Sequence, residues 1–421
     1  MEVKKHGWIE EIRDKGKIKF LVLVSDGEKY QITVKRGVVS DEVFSLTEKL
    51  TRQSTVYVEG DLLENSISKT GKEIIPKKLE IINLADPVLP LDPSEKTPAE
   101  METKLDWRPL SLRTEKSQII FRVQSAIVKF AQEFLYKNGF LQVFTPGIIG
   151  VPSEGGAEVF EVKYFDRKAY LRQDPQLHRE LTVIGGLTKI FEIGPAWRAE
   201  LSHTPRHLTE HRVIAVEKGF IKDEYEIIDL EKNLMLYVLK RLNEEYSKEI
   251  EKVGGEIHMP KKVPILEFPD VYDILDSFGK HFKFPEDYDR ESEELLGKYV
   301  KENYDSDLFF VNKFPFAVKP FYVMRYDDKP EFARSVDMIY KGMEMSSGGE
   351  REHRYEWLIR NIKEKGLNIK NLEWFINHFK YGTCPLGGFA IGIERLTMKI
   401  LNIKNIKEAV LYPRTPERLV P

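Results

Sequence analysis

Charged residues that could bind a polyanion are concentrated between residues 191 and 220. Arg198 and Glu200 differ by two positions, so on a strand their side chains would project from the same face. Arg206 and His207 add cationic groups a few residues further on. Such a surface suits a polyanion that also carries hydrogen-bond donors, although a solvated hairpin with surface ion pairs is the simpler alternative for so short a pattern. Apolar runs on both sides of the polar stretch predict the two strands of a long antiparallel hairpin.

A second group of polar side chains lies between residues 335 and 354. Asp337, Glu344, Ser347 and Arg351 all fall within this short segment. Hard cations such as Mg²⁺ bind carboxylate and hydroxyl oxygens and complete their shell with water and substrate phosphates. Glu344 and Ser347 are therefore the predicted Mg²⁺ ligands.

A glycine-rich apolar segment, residues 382–396, is predicted to form a strand that runs into a helix. The helix is expected to begin near Ile393, which places Arg395 in its first turn. A helix N-terminus with an arginine beside it can bind phosphate, because free backbone N–H groups and a guanidinium both favour an anion. Close packing alone would also explain the glycines.

The first and third of these segments resemble motifs 2 and 3 of the class II aminoacyl-tRNA synthetases, and the sequence VFTPGII around Pro146 resembles motif 1. Within that class the chain is similar to the aspartyl, asparaginyl and lysyl group, and most similar to aspartyl-tRNA synthetases of the archaeal and eukaryotic kind. Further matching stretches are SEGGAEVF at 153–160, QDPQLHRE at 173–180 and the closing LYPRTPERLVP. The resemblance implies an α+β protein, in which an N-terminal OB-fold β-barrel precedes a catalytic domain built on an antiparallel sheet flanked by helices.

The resemblance also implies an ATP-dependent enzyme that attaches aspartate to tRNA(Asp) through an aminoacyl-adenylate, and it leaves open whether tRNA(Asn) is charged as well. Two alternatives are an asparaginyl-tRNA synthetase and a paralogue that adenylates an amino acid for an acceptor other than tRNA. A third is a binding protein that keeps the fold without catalysis. The presence of Arg198, Glu344 and Arg395 argues against the third alternative. A retained N-terminal barrel argues against an acceptor other than tRNA.

Matching the family's motifs residue by residue implies which side chains contact each substrate. Arg198 and Arg395 are the implied catalytic residues, and Arg198 is expected to contact the α-phosphate and the substrate carboxylate. The implied ATP site consists of Arg198, Ala199, Glu200, Arg206, His207, Leu208, Glu344, Gly392, Ile393, Glu394 and Arg395. The implied amino-acid site consists of Glu154, Gln176, Leu177, His178, Arg179, Arg198, Ser347 and Arg351. Glu154 would bind the substrate ammonium group, and Arg351 would bind the side-chain carboxylate through its planar guanidinium.

The chain departs from the aspartyl pattern in the amino-acid pocket. Family aspartyl enzymes read QSPQLYK where this chain has Asp174 in place of the serine and Arg179 in place of the lysine. Ala215 replaces an expected acidic residue, and Leu386 replaces an expected histidine. The sequences GTCP and YPRTP also look more like those of the asparaginyl enzymes. ATP chemistry is therefore better supported than the choice between aspartate and asparagine, because altered buried polar partners can change discrimination strongly.

Residues 1–85 contain short strands separated by turns, which predicts a small barrel of the OB type. Phe20 could stack on a nucleic-acid base, or it could belong to the barrel core. The resemblance to the family's anticodon-binding domain places four residues against bases of tRNA, namely Arg13, Phe20, Gln31 and Glu73.

The predicted organisation is an anticodon-binding domain at 1–85, a linker at 86–112 and a catalytic domain at 113–421. Four prolines between 86 and 98 favour an extended connection over a helix or a central strand. The catalytic domain is expected to carry an insertion at about 225–310, to which no chemistry is assigned.

Two long helices are predicted in the catalytic domain, one at about 115–138 and one near 225–245, from apolar residues that recur every three or four positions. The first leads into the motif 1 strand at 140–146. That region contributes to the dimer interface in the family, so a homodimer is expected.

Whole-chain properties set the remaining expectations. The sequence carries 65 Lys and Arg against 68 Asp and Glu, a net charge of -3, so local patches would have to bind a nucleic acid. Cys384 is the single cysteine, which excludes an intrachain disulfide and fits a reducing compartment. The N-terminus lacks an apolar signal segment and no run of about 18 apolar residues occurs, so a soluble cytoplasmic protein without a membrane partner is expected.

Overall fold

The computed structural model describes the chain over residues 1–64, 67–151, 158–202 and 204–421. The chain divides into two compact units, Met1–Gln118 together with Pro421 and Ile119–Val420. Each unit has its own hydrophobic core.

The described residues of the first unit form a closed β-barrel. Its strands are β1 (Glu2–Asp14), β2 (Ile18–Ser25), β3 (Glu28–Lys35), β4 (Thr55–Glu64) and β5 (Lys72–Asn83). The strands neighbour one another in the order β1-β2-β3-β5-β4, and antiparallel pairing of β1 with β4 closes the barrel. β3 and β5 pair in parallel. The predicted small barrel of the OB type is confirmed.

Side chains along β2 alternate between the barrel interior and its outer face, as expected for a strand. Leu21 and Leu23 are fully buried in the barrel core, whereas Phe20 is only half-buried and lies outside that core. Phe20 is therefore placed on the outer face, where its ring can be reached from solvent.

The segment that follows the barrel begins without a helix or a strand, from 86 to 98, in agreement with its prolines. The helix α1 (Asp41–Leu46) lies within the barrel sequence, and α2 (Met101–Asp106) and α3 (Arg108–Ser111) follow the proline-rich stretch. Part of the predicted linker is therefore helical.

The second unit is built on a large sheet. Its strands are β6 (Leu141–Gln142), β7 (Ile148–Ile149), β8 (Glu161–Tyr164), β9 (Arg167–Leu171), β10 (Lys189–Trp197), β11 (Glu210–Gly219), β12 (Ile265–Glu267), β13 (Leu308–Asn312), β14 (Ser335–Tyr340), β15 (Glu344–Arg351) and β16 (Leu386–Gly392). Eight strands of the described chain form the large sheet in the order β12-β13-β14-β15-β16-β11-β10-β6. The pairs β6–β10 and β12–β13 are parallel, and the others are antiparallel. β7, β9 and β8 form a separate small sheet.

Helices cover this sheet, so the predicted sheet-and-helix catalytic fold is confirmed. The helices are α4 (Glu115–Lys137), α5 (Gln176–Ile184), α6 (Glu224–Lys252), α7 (Asp270–Asp276), α8 (Arg290–Tyr304), α9 (Tyr355–Glu364), α10 (Ile369–Ile376) and α11 (Ile393–Ile400). α4 and α6 contribute Val123, Phe130 and Leu239, among others, to the main core. None of the helices in the described ranges is long and apolar enough to span a membrane.

The second predicted helix, α6, is longer than its predicted span of 225–245. Asp223 caps its N-terminus by accepting a hydrogen bond from the backbone N–H of Tyr225 at 3.0 Å. The helix runs to Lys252, because Ile250 still packs into the core after a charged stretch. The adjacent β12 pairs with β13 at the sheet edge, so part of the predicted insertion belongs to the sheet itself.

Candidate active site

The predicted hairpin is present as β10 and β11, joined in antiparallel register from Lys189–Lys218 to Trp197–Glu210. β10 ends at Trp197, so Arg198 and Glu200 follow the strand and do not lie on it. The backbone leaves the ladder there, because Ala199 donates its N–H to Glu158 at 2.7 Å. The two charged side chains nevertheless meet, with Nη1 of Arg198 3.7 Å from Oε1 of Glu200.

A cavity of about 360 Å³ is lined by side chains from all three segments that the sequence singled out. The predicted site residues that line this cavity are Gln176, Arg198, Glu200, Arg206, His207, Leu208, Glu344, Ser347, Arg351, Gly392, Glu394 and Arg395. Strands β15 and β16 are neighbours, and β16 pairs with β11, which explains why segments far apart in sequence share one wall.

Some predicted site residues lie near this cavity without lining it. Leu177 and Ile393 are buried in hydrophobic cores, and the ring of His178 lies 4.9 Å from that of Trp374. Helix geometry explains two of these placements, because Leu177 and His178 follow Gln176 on α5 and successive helical residues point in different directions. Ala199 contributes only the backbone contact described above.

Arg206 of the hairpin loop has partners that the sequence did not indicate. Arg206 contacts the carboxylates of Glu293 at 3.4 Å and Glu294 at 3.1 Å, both in the first turns of α8. Glu293 also accepts a hydrogen bond from the backbone N–H of Glu344 at 3.0 Å. His207 is half-buried, and desolvation lowers its pKa. No periodicity or motif in the segment around α8 marks these contacts, because they depend on tertiary packing.

Arg395 lies in the first turn of α11, as predicted. Its Nη1 lies 3.2 Å from the backbone oxygen of Glu344 and 3.5 Å from Oε1 of the same residue. Burial and then the charge of the neighbouring Asp337 raise the pKa of Glu344 to about 7, although Arg395 opposes the shift. A cation bound between the carboxylates of Glu344 and Asp337 would relieve their mutual repulsion.

The predicted metal ligands face a further carboxylate. Asp337 on β14 is paired in register with Ser347 on β15, and both line the cavity together with Glu344. Lys319 contacts both carboxylate oxygens of Asp337, at 2.9 and 3.1 Å. Across the described residues no group of three His, Cys, Asp or Glu side chains is arranged to hold a metal ion. The donor set still fits Mg²⁺, which commonly takes one or two carboxylates and completes its shell with water and phosphates.

One end of the cavity contains a buried network of charged side chains. Arg179 is fully buried, and its Nη1 lies 2.8 Å from Oδ1 of Asp174. It also donates to Oε1 of Gln176 at 2.9 Å. Asp174 lines the cavity and Arg179 does not, so the carboxylate stands in front of the guanidinium.

Arg351 takes part in the same network through a different carboxylate. Its Nε lies 3.0 Å from Oε1 of Glu217, and its Nη2 donates to Gln176 at 3.2 Å. Gln176 donates in turn to Glu217 and to Glu180, each at 3.0 Å. Burial raises the pKa of Glu180 to about 8, with Glu217 as the next cause, so Glu180 is neutral in this network at pH 7.

Two of the four departures from the aspartyl pattern do not reach the cavity. Ala215 is fully buried on β11, and Leu386 packs in a small core with Val183, Ile190 and Cys384. The departures that shape the site are therefore Asp174 and Arg179. Glu154, the predicted ligand of the substrate ammonium, lies outside the described residues.

The residues predicted to contact tRNA lie together on the barrel. Arg13 on β1 is in register with Phe20 on β2, and Gln31 on β3 is in register with Glu73 on β5. Thr33 links the two pairs, since it stands opposite Phe20 and accepts a hydrogen bond from Gln31 at 3.2 Å. The four predicted residues thus share one face of the barrel.

The chain resembles proteins of known function over its whole length. The family described as tRNA synthetases class II (D, K and N) matches residues 100–416. An aspartate–tRNA(Asp) ligase from Pyrococcus horikoshii is 44% identical over 420 residues, which covers 100% of this chain and 96% of the relative. An aspartate–tRNA(Asp/Asn) ligase from Aeropyrum pernix is 37% identical and covers 99% and 94%.

Solved structures of aminoacyl-tRNA synthetases also superimpose on the chain. An asparaginyl-tRNA synthetase from Pyrococcus horikoshii, complexed with asparaginyl-adenylate, superimposes with a TM-score of 0.92 at 33% identity and covers 100% of this chain and 96% of that one. A putative aspartyl-tRNA synthetase from Leishmania major superimposes with a TM-score of 0.91 at 29% identity, with coverage of 100% and 91%. The chain belongs to the class II tRNA synthetases of the D, K and N group.

Proposed function

We propose that this protein is an ATP-dependent aspartate–tRNA ligase, which attaches aspartate to tRNA(Asp) through an aspartyl-adenylate. The observation that carries the proposal is the single cavity in which the arginines of the hairpin loop and of α11 meet the buried guanidinium and carboxylate network. Relatives that are 37–44% identical over nearly their full length are aspartate ligases for tRNA(Asp) or for tRNA(Asp/Asn). Charging of tRNA(Asn) is therefore part of the proposal to be tested.

In the first step, a carboxylate oxygen of the amino acid attacks the α-phosphorus of ATP, and pyrophosphate leaves with the electrons of the broken P–O bond. The protein supplies no covalent nucleophile, so positioning and charge stabilisation carry the catalysis. We assign Arg198 to the α-phosphate and the substrate carboxylate, and Arg395 to the distal phosphates. The adenylate then passes the amino acid to the 3′ end of tRNA and releases AMP.

The remaining nucleotide contacts are assigned by their place on the cavity wall. Glu200 is assigned to the adenine side, and Arg206, His207 and Leu208 to the border of the nucleotide. Glu344 and Ser347 are assigned to Mg²⁺, and Asp337 is added because it stands opposite Ser347. When bound, Mg²⁺ would neutralise charge on the phosphates.

The amino acid is assigned to the end of the cavity where Gln176 and Arg351 are exposed to it. Arg351 would bind the side-chain carboxylate of aspartate, because its fork of donors matches two oxygens. The predicted role of Glu154 toward the ammonium group stays a prediction.

A second candidate substrate is asparagine, and the ion pair between Asp174 and Arg179 favours it. Arg179 is engaged by Asp174 and Arg351 by Glu217, so each guanidinium of this network already has a carboxylate partner. A cavity wall with one carboxylate and one guanidinium offers an acceptor beside a donor. A primary amide complements that pair, whereas a carboxylate offers acceptors only.

The proposal includes tRNA binding by the barrel and a homodimer. The shared face of the barrel presents an accessible aromatic ring, Phe20, for stacking on a base. In the motif 1 region Leu141, Phe144 and Ile148 are 50%, 81% and 49% exposed. Apolar side chains that are exposed together often mark a protein interface, which supports dimerisation there. The single reduced cysteine supports a cytoplasmic location.

ATP–pyrophosphate exchange with each of the twenty amino acids tests the proposal, because it reports the first step without requiring the right tRNA. Aspartate should give the strongest exchange. Exchange that prefers asparagine by about tenfold or more, equivalent to about 1.4 kcal/mol, would replace aspartate by the second candidate. Exchange with neither amino acid would overturn both. Charging of purified tRNA(Asp) and tRNA(Asn) then defines the tRNA set.

A further inference from the structure

Lys319 forms a buried ion pair inside the proposed nucleotide cavity. Its Nζ lies 2.9 Å from Oδ2 and 3.1 Å from Oδ1 of Asp337. The two side chains are only 9% and 6% exposed. The ammonium group also lies 3.6 Å from the ring centre of Phe314, which favours a cation at this position. Because water is largely excluded, the attraction between these charges is stronger than at the protein surface.

The second carboxylate of the proposed Mg²⁺ site is engaged in a similar way. Glu344 contacts Arg395 at 3.5 Å, so each of the two carboxylates already faces a side-chain cation. All four side chains line the same cavity. The site thus carries its own counter-ions, although it is proposed to receive both a divalent cation and a polyanion.

We propose that Lys319 is a resident counter-ion that changes partners when substrate binds. In the free enzyme it neutralises Asp337, and with Mg²⁺ held by the carboxylates it turns to a phosphate oxygen of ATP. The inference rests on the proposed nucleotide and Mg²⁺ site. Mg²⁺ alone would have to displace the ammonium group, and ATP alone would draw Lys319 away and leave Asp337 buried without a cation. When both ligands are bound, Mg²⁺ would be the partner of Asp337 and a phosphate oxygen would be the partner of Lys319.

The exchange makes the metal and the nucleotide bind cooperatively, and the coupling acts equally in both directions. It also predicts whether a mutation of Lys319 strengthens or weakens metal binding. If Lys319 competes with the metal for Asp337, removal of its charge should strengthen metal binding to the nucleotide-free enzyme. If Lys319 merely holds Asp337 in place, the same change should weaken metal binding.

The experiment measures Mn²⁺ binding to the full-length, nucleotide-free enzyme by electron paramagnetic resonance. K319M should bind Mn²⁺ about tenfold more tightly than the wild type, on the scale of removing one nearby charge, and K319R should resemble the wild type. K313M is the matched control, because Lys313 pairs with Glu267 at 2.5 Å and does not line the cavity. Thermal melting checks folding, and K319Q replaces K319M if the methionine variant does not fold.

Unchanged or weaker Mn²⁺ binding in a folded K319M or K319Q would overturn the counter-ion role. ATP binding to the wild type by calorimetry, with Mg²⁺ and with EDTA, separates this outcome from failure of the proposed function. A wild type that binds no ATP under either condition contradicts the nucleotide site itself. Mg²⁺-dependent ATP binding without a gain of Mn²⁺ affinity in the variant contradicts only the role of Lys319.

Discussion

Asp174 and Arg179 face each other at the start of α5, with Oδ1 of the aspartate 2.8 Å from Nη1 of the arginine. The arginine is fully buried, and the aspartate separates it from the cavity. Burial would raise the pKa of Asp174, but the charge and hydrogen bond of Arg179 lower it overall. A negative charge therefore lines the cavity, and a second carboxylate brought beside it would be repelled.

Asp174→Asn should consequently shift the enzyme toward aspartate. The amide keeps the size of the side chain and removes the charge that would face the proposed substrate, so the ratio of aspartate to asparagine activation should rise about tenfold. Pyrophosphate exchange at saturating ATP with each amino acid measures this ratio. A ratio equal to that of the wild type would mean that Asp174 does not face the substrate side chain.

Loss of either cavity arginine should nearly abolish activation. Arg198→Ala and Arg395→Ala each remove one cation that would stabilise charge in the transition state, which should reduce exchange by about a hundredfold or more. Arg241→Ala is a suitable control, since Arg241 on α6 pairs with Glu245 on the same helix and with Glu133 on α4, and it does not line the cavity. Near-normal exchange in either cavity variant would remove that arginine from the catalytic residues.

Glu344→Gln should raise the Mg²⁺ concentration needed for exchange and leave the fold intact. The amide is nearly isosteric, but it is a weaker ligand for a hard cation than a carboxylate. The measurement is a titration of exchange rate against Mg²⁺ at constant ATP. If the midpoint of the titration stays where it is in the wild type, Glu344 does not hold the metal.

Phe20→Ala should weaken tRNA binding by about 1 to 3 kcal/mol without slowing amino-acid activation, because base stacking on an aromatic ring would be lost. The barrel should remain folded, since Phe20 is outside its core. Tyr57→Ala provides a matched loss of a half-buried aromatic residue on β4. Equal tRNA affinity in wild type and Phe20→Ala, measured by filter binding, would contradict the role of this face.

The buried carboxyl of Glu180 should make stability depend on pH. Its pKa is about 8 in the folded protein and near its ordinary value of 4.5 when unfolded, so the folded state binds more protons between these values. Stability should therefore fall as pH rises from about 5 to 8, by up to about 1.4 kcal/mol per pH unit. Glu180→Gln, which cannot ionise, should lack this part of the slope. Thermal melting of both proteins across this range gives the comparison, and parallel curves would contradict the prediction.

Much of the fold follows from local patterns in the sequence. Short strands separated by turns in residues 1–85 predict the barrel, and the spacing of apolar residues predicts α4 closely. The end of β10 is harder to predict, because FEIGPAWRAE continues to read as a strand while the backbone leaves the hairpin after Arg198, where Ala199 donates its N–H to Glu158. Such a turn depends on a contact between distant segments.

Some residues of the candidate site can likewise be predicted from the sequence, and others cannot. Motif positions indicate Arg198, Glu344 and Arg395, since their roles depend on local geometry near a strand or helix terminus. Lys319 and Glu293 could not be predicted to belong to the site, because neither lies in a recognisable motif. Lys319 lines the cavity because its segment packs against β14, and Glu293 contacts Arg206 of the hairpin loop from α8. Charge pairing over long sequence separation leaves no periodic signal.

The contact between Arg206 and the first turns of α8 limits how this enzyme can be divided into exchangeable parts. Glu293 and Glu294 belong to a segment to which the sequence assigns no chemistry, yet both form ion pairs with Arg206 of the hairpin loop. A chimera that replaced residues 265–304 with the equivalent segment of another protein would leave Arg206 facing whatever side chains arrived with the graft. The loop and the helix must therefore be transplanted, and would have to evolve, as one module.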